Sequence, residues 1–184
     1  MKRVLRACAL IAAIAAPAML SAQTTDQPVS FGVSGGLSLP MGDLGDVAKS
    51  GFNITGHVHF TPASLTSVRL RGDVAYDRWD VDGFDASTRS IAFAANAVYD
   101  FPAQSTSIVR PYVLGGLGLF SLKTSATSGA FTNRSGDTNL GLQVGGGLTF
   151  QLSGFSTFAE AKLVSVFTDG QSTRYIPVTF GVRF

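Results

Sequence analysis

An all-β fold is what this sequence predicts, and three features predict it. Eight stretches of about ten or more residues read as strands, and along seven of them apolar side chains recur at every second position with small or polar side chains between them. The connections between these stretches alternate in length, a short one followed by a long one. Every second stretch ends on a phenylalanine: Phe60, Phe101, Phe150 and Phe184. About ten residues is what a tilted strand needs to cross a bilayer. The fold class is therefore an eight-stranded antiparallel up-and-down transmembrane β-barrel.

The first 22 residues stand apart. Lys2, Arg3 and Arg6 precede the apolar run "ALIAAIAAPAML" and the small residues Ser21 and Ala22. This pattern reads as a secretory signal peptide, too short to be a membrane-spanning helix. Ala16 to Ala18 also fits a cleavage site, and Cys8 lies ahead of the apolar run, where a lipid-attachment cysteine does not belong. The domain reading is signal peptide 1–22, a short lead 23–28 and a barrel 29–184. Without the signal, 11 of the 14 Lys+Arg remain against 12 Asp+Glu, for a net charge of −1. A nucleic-acid partner loses its electrostatic support. The one cysteine is removed as well, so the exported chain has no disulfide. Charged residues make up 14% of the chain, where a soluble domain has about 25%, so a large apolar surface needs somewhere other than water to go.

The strands follow in order. In 30–39, Phe31, Val33, Leu37 and Leu39 oppose Ser30, Gly32, Ser34, Gly36 and Ser38. In 51–60, Phe52, Ile54, Val58 and Phe60 oppose Asn53, Thr55, His57 and His59. In 67–77, Val68, Leu70, Val74 and Tyr76 oppose Arg69, Arg71, Asp73 and Asp77. In 90–101, Ile91, Phe93, Ala95, Ala97, Tyr99 and Phe101 oppose Ser90, Asn96 and Asp100. Residues 109–122 form a fifth strand whose facing stays open, because both faces are apolar or Gly. In 139–150, Leu140, Leu142, Val144, Leu148 and Phe150 oppose Asn139, Gln143 and Thr149. In 155–166, Phe155, Ala159, Ala161 and Leu163 oppose Glu160 and Lys162. The eighth strand is "YIPVTFGVRF", 175–184, with Thr179 and Arg183 on its polar face. Residues 61–66, 102–107 and 151–154 read as short turns, and 40–50, 78–89, 123–138 and 167–173 as loops rich in Gly, Asp, Ser and Thr.

Phe60, Phe101, Phe150 and Phe184 each lie on the apolar face of a strand that runs toward the short-turn end, which makes them an aromatic girdle at one membrane boundary. Tyr76 and Trp79 are assigned to a second girdle at the other. With the apolar faces outward, the polar faces fill the lumen, since eight strands enclose only enough room for side chains. Lone buried charges are expensive, so lumenal Arg69, Arg71, Asp73, Asp77, Glu160 and Lys162 must pair. The expected contacts are Arg71 with Glu160 and Asp73 with Lys162 across the barrel, with Arg69 and Asp77 extending the network. This is a plug that holds the barrel closed; a gated pore or a proton path is the competing reading of the same charges.

The chain resembles the small eight-stranded outer-membrane proteins of Gram-negative bacteria, the OmpA/OmpX-like barrels, over residues 29–184. The resemblance is carried by "YIPVTFGVRF" and by "RPYVLGGLGLF", in which Pro-Tyr precedes a Gly-rich run. It implies that Ile176, Val178, Phe180, Val182 and Phe184 form a C-terminal insertion signal read by the outer-membrane assembly machinery. It further implies export through the periplasm, residence in the outer membrane, contact with outer-membrane lipid and lipopolysaccharide, and a monomeric barrel with a structural or surface role. Lipid-modifying barrel enzymes share this size class, but they use a His with Ser or Asp at the outer leaflet, and the long loops here hold no histidine.

No catalytic residue, cofactor or metal site is expected. His57 and His59 alternate onto the lumenal face, beside arginines that would repel a cation, and read as hydrogen bonders. Gly115–Gly116 and Gly145–Gly147 lack the following helix and Lys-Ser/Thr of a phosphate loop and read as strand glycines that relieve crowding. Asp43, Asp46, Asp80, Asp82 and Asp85 form solvated acidic loops, since "DVDGFD" lacks the closing Glu of a calcium loop. The alternative from another class is a soluble lipocalin-like carrier of a small apolar ligand, with the apolar faces turned inward. The Gly, Ser, Asn, Gln and Thr of the polar faces in the first and sixth strands suit a crowded interior better than a soluble exterior.

Overall fold

The strand pattern closes on itself in a computed structural model, which describes residues 28–45, 48–62, 65, 67–80, 86–102, 108–128, 131–168 and 171–184. The signal and most of the lead, residues 1–27, lie outside the described residues, as do Asp46, Asp82 and Asp85. The elements are β1 Val29–Met41, β2 Gly51–Phe60, β3 Val68–Asp80, β4 Ala86–Asp100, β5 Val109–Ser128, β6 Phe131–Gln151, β7 Ser156–Thr168 and β8 Gln171–Arg183. A single 3-10 turn, Gly42–Leu44, follows β1. Each strand pairs antiparallel with the next, and β1 pairs with β8 from Gly32↔Arg183 to Met41↔Arg174, which completes a closed barrel. Phe31 and Phe184 exchange backbone hydrogen bonds of 3.1 and 2.8 Å just beyond that ladder, so the last residue seals the seam.

The apolar faces point out of the barrel. Phe31, Leu37, Phe93, Leu117, Leu142, Val144 and Phe180 are all exposed on its outer wall. The polar faces are buried in the lumen, including Ser34, Asn53, His57, Arg71, Asp73, Gln143, Glu160 and Thr179. The inside-out arrangement excludes the carrier reading, which needs the apolar faces within. The facing of β5, left open by the sequence, resolves as well. Tyr112, Leu114 and Phe120 are buried inside, and Val113, Leu117 and Leu119 are exposed outside.

Three expected loops are largely strand. The β3–β4 ladder continues to Asp80↔Ser87, β5–β6 to Ser128↔Phe131, and β7–β8 to Thr168↔Gln171. The segments 78–89, 123–138 and 167–173 are therefore mainly continuations of hairpins rather than irregular connections. Outside a membrane both faces of a hairpin meet water, so the apolar/polar alternation that marks a strand vanishes while the backbone ladder continues. At the opposite end the turns are short: Leu152 N–H donates to Phe155 C=O at 3.0 Å, and Gly154 at φ +92° takes a conformation that side-chain-bearing residues rarely adopt.

Trp79 corrects another expectation. It is fully buried in the lumen, edge-on to Tyr175 with ring centroids 4.8 Å apart, and its indole N–H donates to Ser38 C=O at 3.1 Å. Strand parity is the reason, since Trp79 shares an odd-numbered face with Arg71 and Asp73. Tyr76 lies on the other face, 5.9 Å from the ring of Phe52.

Candidate functional site

Two strands, β3 and β7, supply most of the charges of the lumen, and β2 adds neutral hydrogen-bonding groups. On β3 the inward residues are Arg69, Arg71, Asp73, Asp77 and Trp79; on β7 they are Phe158, Glu160, Lys162, Val164 and Val166. On β2 they are Asn53, Thr55, His57 and His59. Because side chains alternate strictly along a strand, two charges two residues apart reach the same interior from adjacent levels.

Arg71 and Glu160 meet across the lumen although they are 89 positions apart. The guanidinium forks onto the carboxylate, with Nη1 to Oε2 at 2.6 Å and Nη2 to Oε1 at 3.0 Å. Arg71 Nη2 also donates to Asp73 Oδ2 at 3.0 Å. Lys162 Nζ sits 3.5 Å from Asp73 Oδ2 and 3.7 Å from Glu160 Oε1. Two cations thus face two carboxylates in one buried, neutral layer. Its remaining valences are filled by neutral groups: Tyr112 Oη donates to Glu160 Oε2 at 2.7 Å, Asn96 Nδ2 to Asp73 Oδ2 at 3.0 Å, and Gln143 Nε2 to Asn96 Oδ1 at 2.5 Å.

Arg69 and Asp77 lie outside this layer. Arg69 forks onto Asp100 at 2.5 and 2.7 Å and contacts His59 Nδ1 at 3.0 Å, toward the short-turn end. Asp77 accepts from Asn53 Nδ2 at 2.8 Å, toward the long-hairpin end. Apolar clusters lie on both sides of the charged layer, beside these polar groups. Trp79, Phe120, Val164, Val166 and Tyr175 lie on the hairpin side, and Val98, Tyr112, Leu114 and Phe158 on the turn side. Sequence reasoning omitted Tyr112, Asn96, Gln143 and Asp100 from the network. Parity places the last three on polar faces, whereas Tyr112 sits on the one strand whose facing was open.

His57 bridges two hydrogen-bonding partners, with Ser34 Oγ 2.8 Å from Nε2 and Asp73 Oδ1 2.8 Å from Nδ1. A hydroxyl, an imidazole and a carboxylate in this order are the parts of an activated serine. Here the carboxylate is shared with Arg71 and Lys162, and Ser34 is itself buried. A void of about 10 Å³, room for one water, lies beside Asp73, among Asn53, Asp77, Lys162 and Tyr175. The chain of hydrogen bonds fixes β1, β2 and β3 to the charged layer. Among the described residues no cluster of three or more His, Cys, Asp or Glu side chains is arranged to hold a metal ion.

On the outer wall Phe60, Phe101 and Phe184 are exposed and Phe150 is half-buried, all at the short-turn end. Tyr99 stacks edge-on to Phe101 at 5.2 Å. Ile176, Val178, Phe180, Val182 and Phe184 follow one another along the outward face of the last strand.

The family model for an outer membrane protein beta-barrel domain matches residues 7–184. No curated protein matches the sequence. Among solved structures the fold is similar to Neisserial surface protein A, at 20% identity and a TM-score of 0.64, covering 85% of this chain and 96% of that one. It is also similar to Ail, the attachment invasion locus protein of Yersinia pestis, at 18% identity and a TM-score of 0.52, covering 85% and 97%. The outer membrane enzyme PagL is similar at 19% identity and a TM-score of 0.51, covering 84% and 98%.

Proposed function

The chain belongs to the outer membrane protein β-barrel domain family, and from that premise we propose that this outer-membrane barrel serves as a closed, non-catalytic wall element whose extended hairpins face outward. The observation that carries the reading is the filled lumen. The Arg71–Glu160 fork spans the interior, Asp73 and Lys162 complete its charge balance, and apolar clusters lie on either side. A hydrated ion needs a continuous wet path, and this interior replaces water with paired side chains.

For an enzymatic reading, the resemblance to lipid-modifying barrels implies a histidine near the outer leaflet. Both histidines of this chain are buried in the lumen. Outer-membrane lipid, including lipopolysaccharide, surrounds the monomer in this reading, and the assembly machinery meets the last strand during insertion. Residues 1–22 are removed on export, so the mass of the protein recovered from outer membranes reports the cleavage.

The test of the closed barrel is planar-bilayer conductance of the refolded full chain. Rare, small current steps are expected. Large, stable open levels, abolished when Arg71 and Glu160 are both replaced by leucine, would establish a pore in its place.

A further inference from the structure

Three cations stand side by side on the outer wall. The β3–β4 register sets Arg78 opposite Arg89, and the β4–β5 register sets Arg89 opposite Lys123. Arg78 shares the outward parity of Leu70 and Val74, Arg89 that of Ile91 and Phe93, and Lys123 that of Leu117 and Leu119, all of them exposed. Adjacent strands lie about 4.8 Å apart, so the three backbone positions span about 10 Å.

Like charges placed directly opposite one another repel and destabilise a sheet. Asp80 lies 3.6 Å from Arg78, but both ends of that pair are exposed, at 48% and 74%, so its attraction is weak. Among the described residues neither Arg89 nor Lys123 has a carboxylate partner. The row therefore carries surplus positive charge.

Its depth says what neutralises it. The next row toward the short-turn end is Tyr76, Ile91 and Ser121, and the one beyond is Val74, Phe93 and Leu119. The row on the other side is Asp80, Ser87 and Ser125. The wall thus passes from hydrocarbon-facing side chains to a mixed level, then to cations, then to small polar residues. At about 3.3 Å per residue and a tilt of about 40°, Arg89 stands about 30 Å above Phe101 of its own strand, with Arg78 about 3 Å nearer the girdle level and Lys123 about 3 Å farther from it. The apolar band of such a barrel is about 25 Å tall, so the cations begin where hydrocarbon ends and headgroups start.

We propose that Arg78, Arg89 and Lys123 form a binding site for the phosphate groups of an outer-leaflet glycolipid. The two guanidinium groups fork onto phosphate oxygens and the ammonium adds a point charge, while the lipid's acyl chains lie against Val74, Phe93 and Leu119. The inference rests on the outer-membrane reading above and names a lipid contact within it. Arg174 on β8 faces outward at a comparable height, but its register neighbours are Met41 and Ser165, so it stands alone and serves as the control.

The test refolds the full chain into phosphatidylcholine vesicles containing bisphosphorylated lipid A, extracts it gently, and counts bound lipid by native mass spectrometry. The wild type and Arg174→Gln should retain lipid A, and Arg89→Gln/Lys123→Gln about tenfold less, for two lost solvent-exposed ion pairs. Lipid A stripped of its phosphates should be retained no better by the wild type than by the double variant. Heat-modifiable gel migration shows that each variant folds and inserts. Folded double variants that hold lipid A as the wild type does, or equal retention of phosphate-free lipid A, would overturn the site while leaving the barrel reading intact. Complete displacement of the lipid by excess inorganic phosphate would overturn the glycolipid assignment in favour of a free-anion site.

Discussion

Arg71 is almost wholly withdrawn from water. Its guanidinium is enclosed by Glu160, Asp73 and the barrel wall, with the residue only 3% exposed. In such a place the loss of one partner hurts more than the loss of both, because a single deletion strands a buried charge. Arg71→Met should therefore lower stability by about 3–5 kcal/mol. Arg71→Met combined with Glu160→Leu removes one charge of each sign, leaves Lys162 facing Asp73, and should recover most of that loss. Urea unfolding in phospholipid vesicles measures both, and additive losses, with a coupling below about 0.5 kcal/mol, would show that the fork is not a unit. The four residues of the layer could be read from the sequence, because opposite charges sat on the inward parity of two strands. Tyr112 could not, since nothing in "PYVLGGLGLF" distinguishes its two faces. A glycine neighbour explains part of the fit. A Cβ on Gly116 would run into Asn96 and the Ala95 carbonyl, so the strand must carry glycine there for Asn96 to reach both Asp73 and Gln143.

Strands obey parity even where residue type suggests otherwise, and Trp79 is the case in point. An aromatic near the end of a membrane strand invites a girdle assignment, yet its odd position turns it inward onto Tyr175. It is the only tryptophan of the chain, so its fluorescence reports the facing of β3 directly. Brominated-acyl lipids should quench Trp79 far less than a tryptophan placed at Phe93 in a Trp79→Phe background. Equal quenching of the two would put Trp79 on the lipid side and undo the assignment. Strand ends were the hardest feature to read. Residues 123–128 and 131–138 are mostly Ser, Thr and other small or charged residues that resemble a loop, and only the cross-strand ladder from Lys123↔Gly136 to Ser128↔Phe131 makes them a hairpin. The sequence pattern records where a strand meets hydrocarbon; it does not record where pairing stops.

For the whole molecule the decisive quantity is the depth of each outward residue in the membrane. A barrel turned apolar side out has no stable home in water, and closure of β1 against β8 leaves no free edge for another route to burial. Depth makes a graded prediction that facing alone does not. Val144 is exposed on the outer wall six residues above Phe150, so it sits about 15 Å from the girdle, near the middle of the hydrocarbon. Phe60 is exposed at the short-turn rim, the level at which the girdle is expected, within reach of water. Val144→Arg should cost about 2–4 kcal/mol, while Phe60→Arg should cost about 0–1 kcal/mol apart from the lost ring contact. Unfolding titrations in vesicles compare the two. A larger penalty at Phe60 than at Val144 would place the hydrocarbon midplane at the short-turn rim, and the girdle, the cation row and the charged layer would all have to be moved with it. The ordering follows from geometry alone: strand length, tilt and the positions of four phenylalanines set the membrane on this barrel, and each outward side chain then has a depth that its substitution can read.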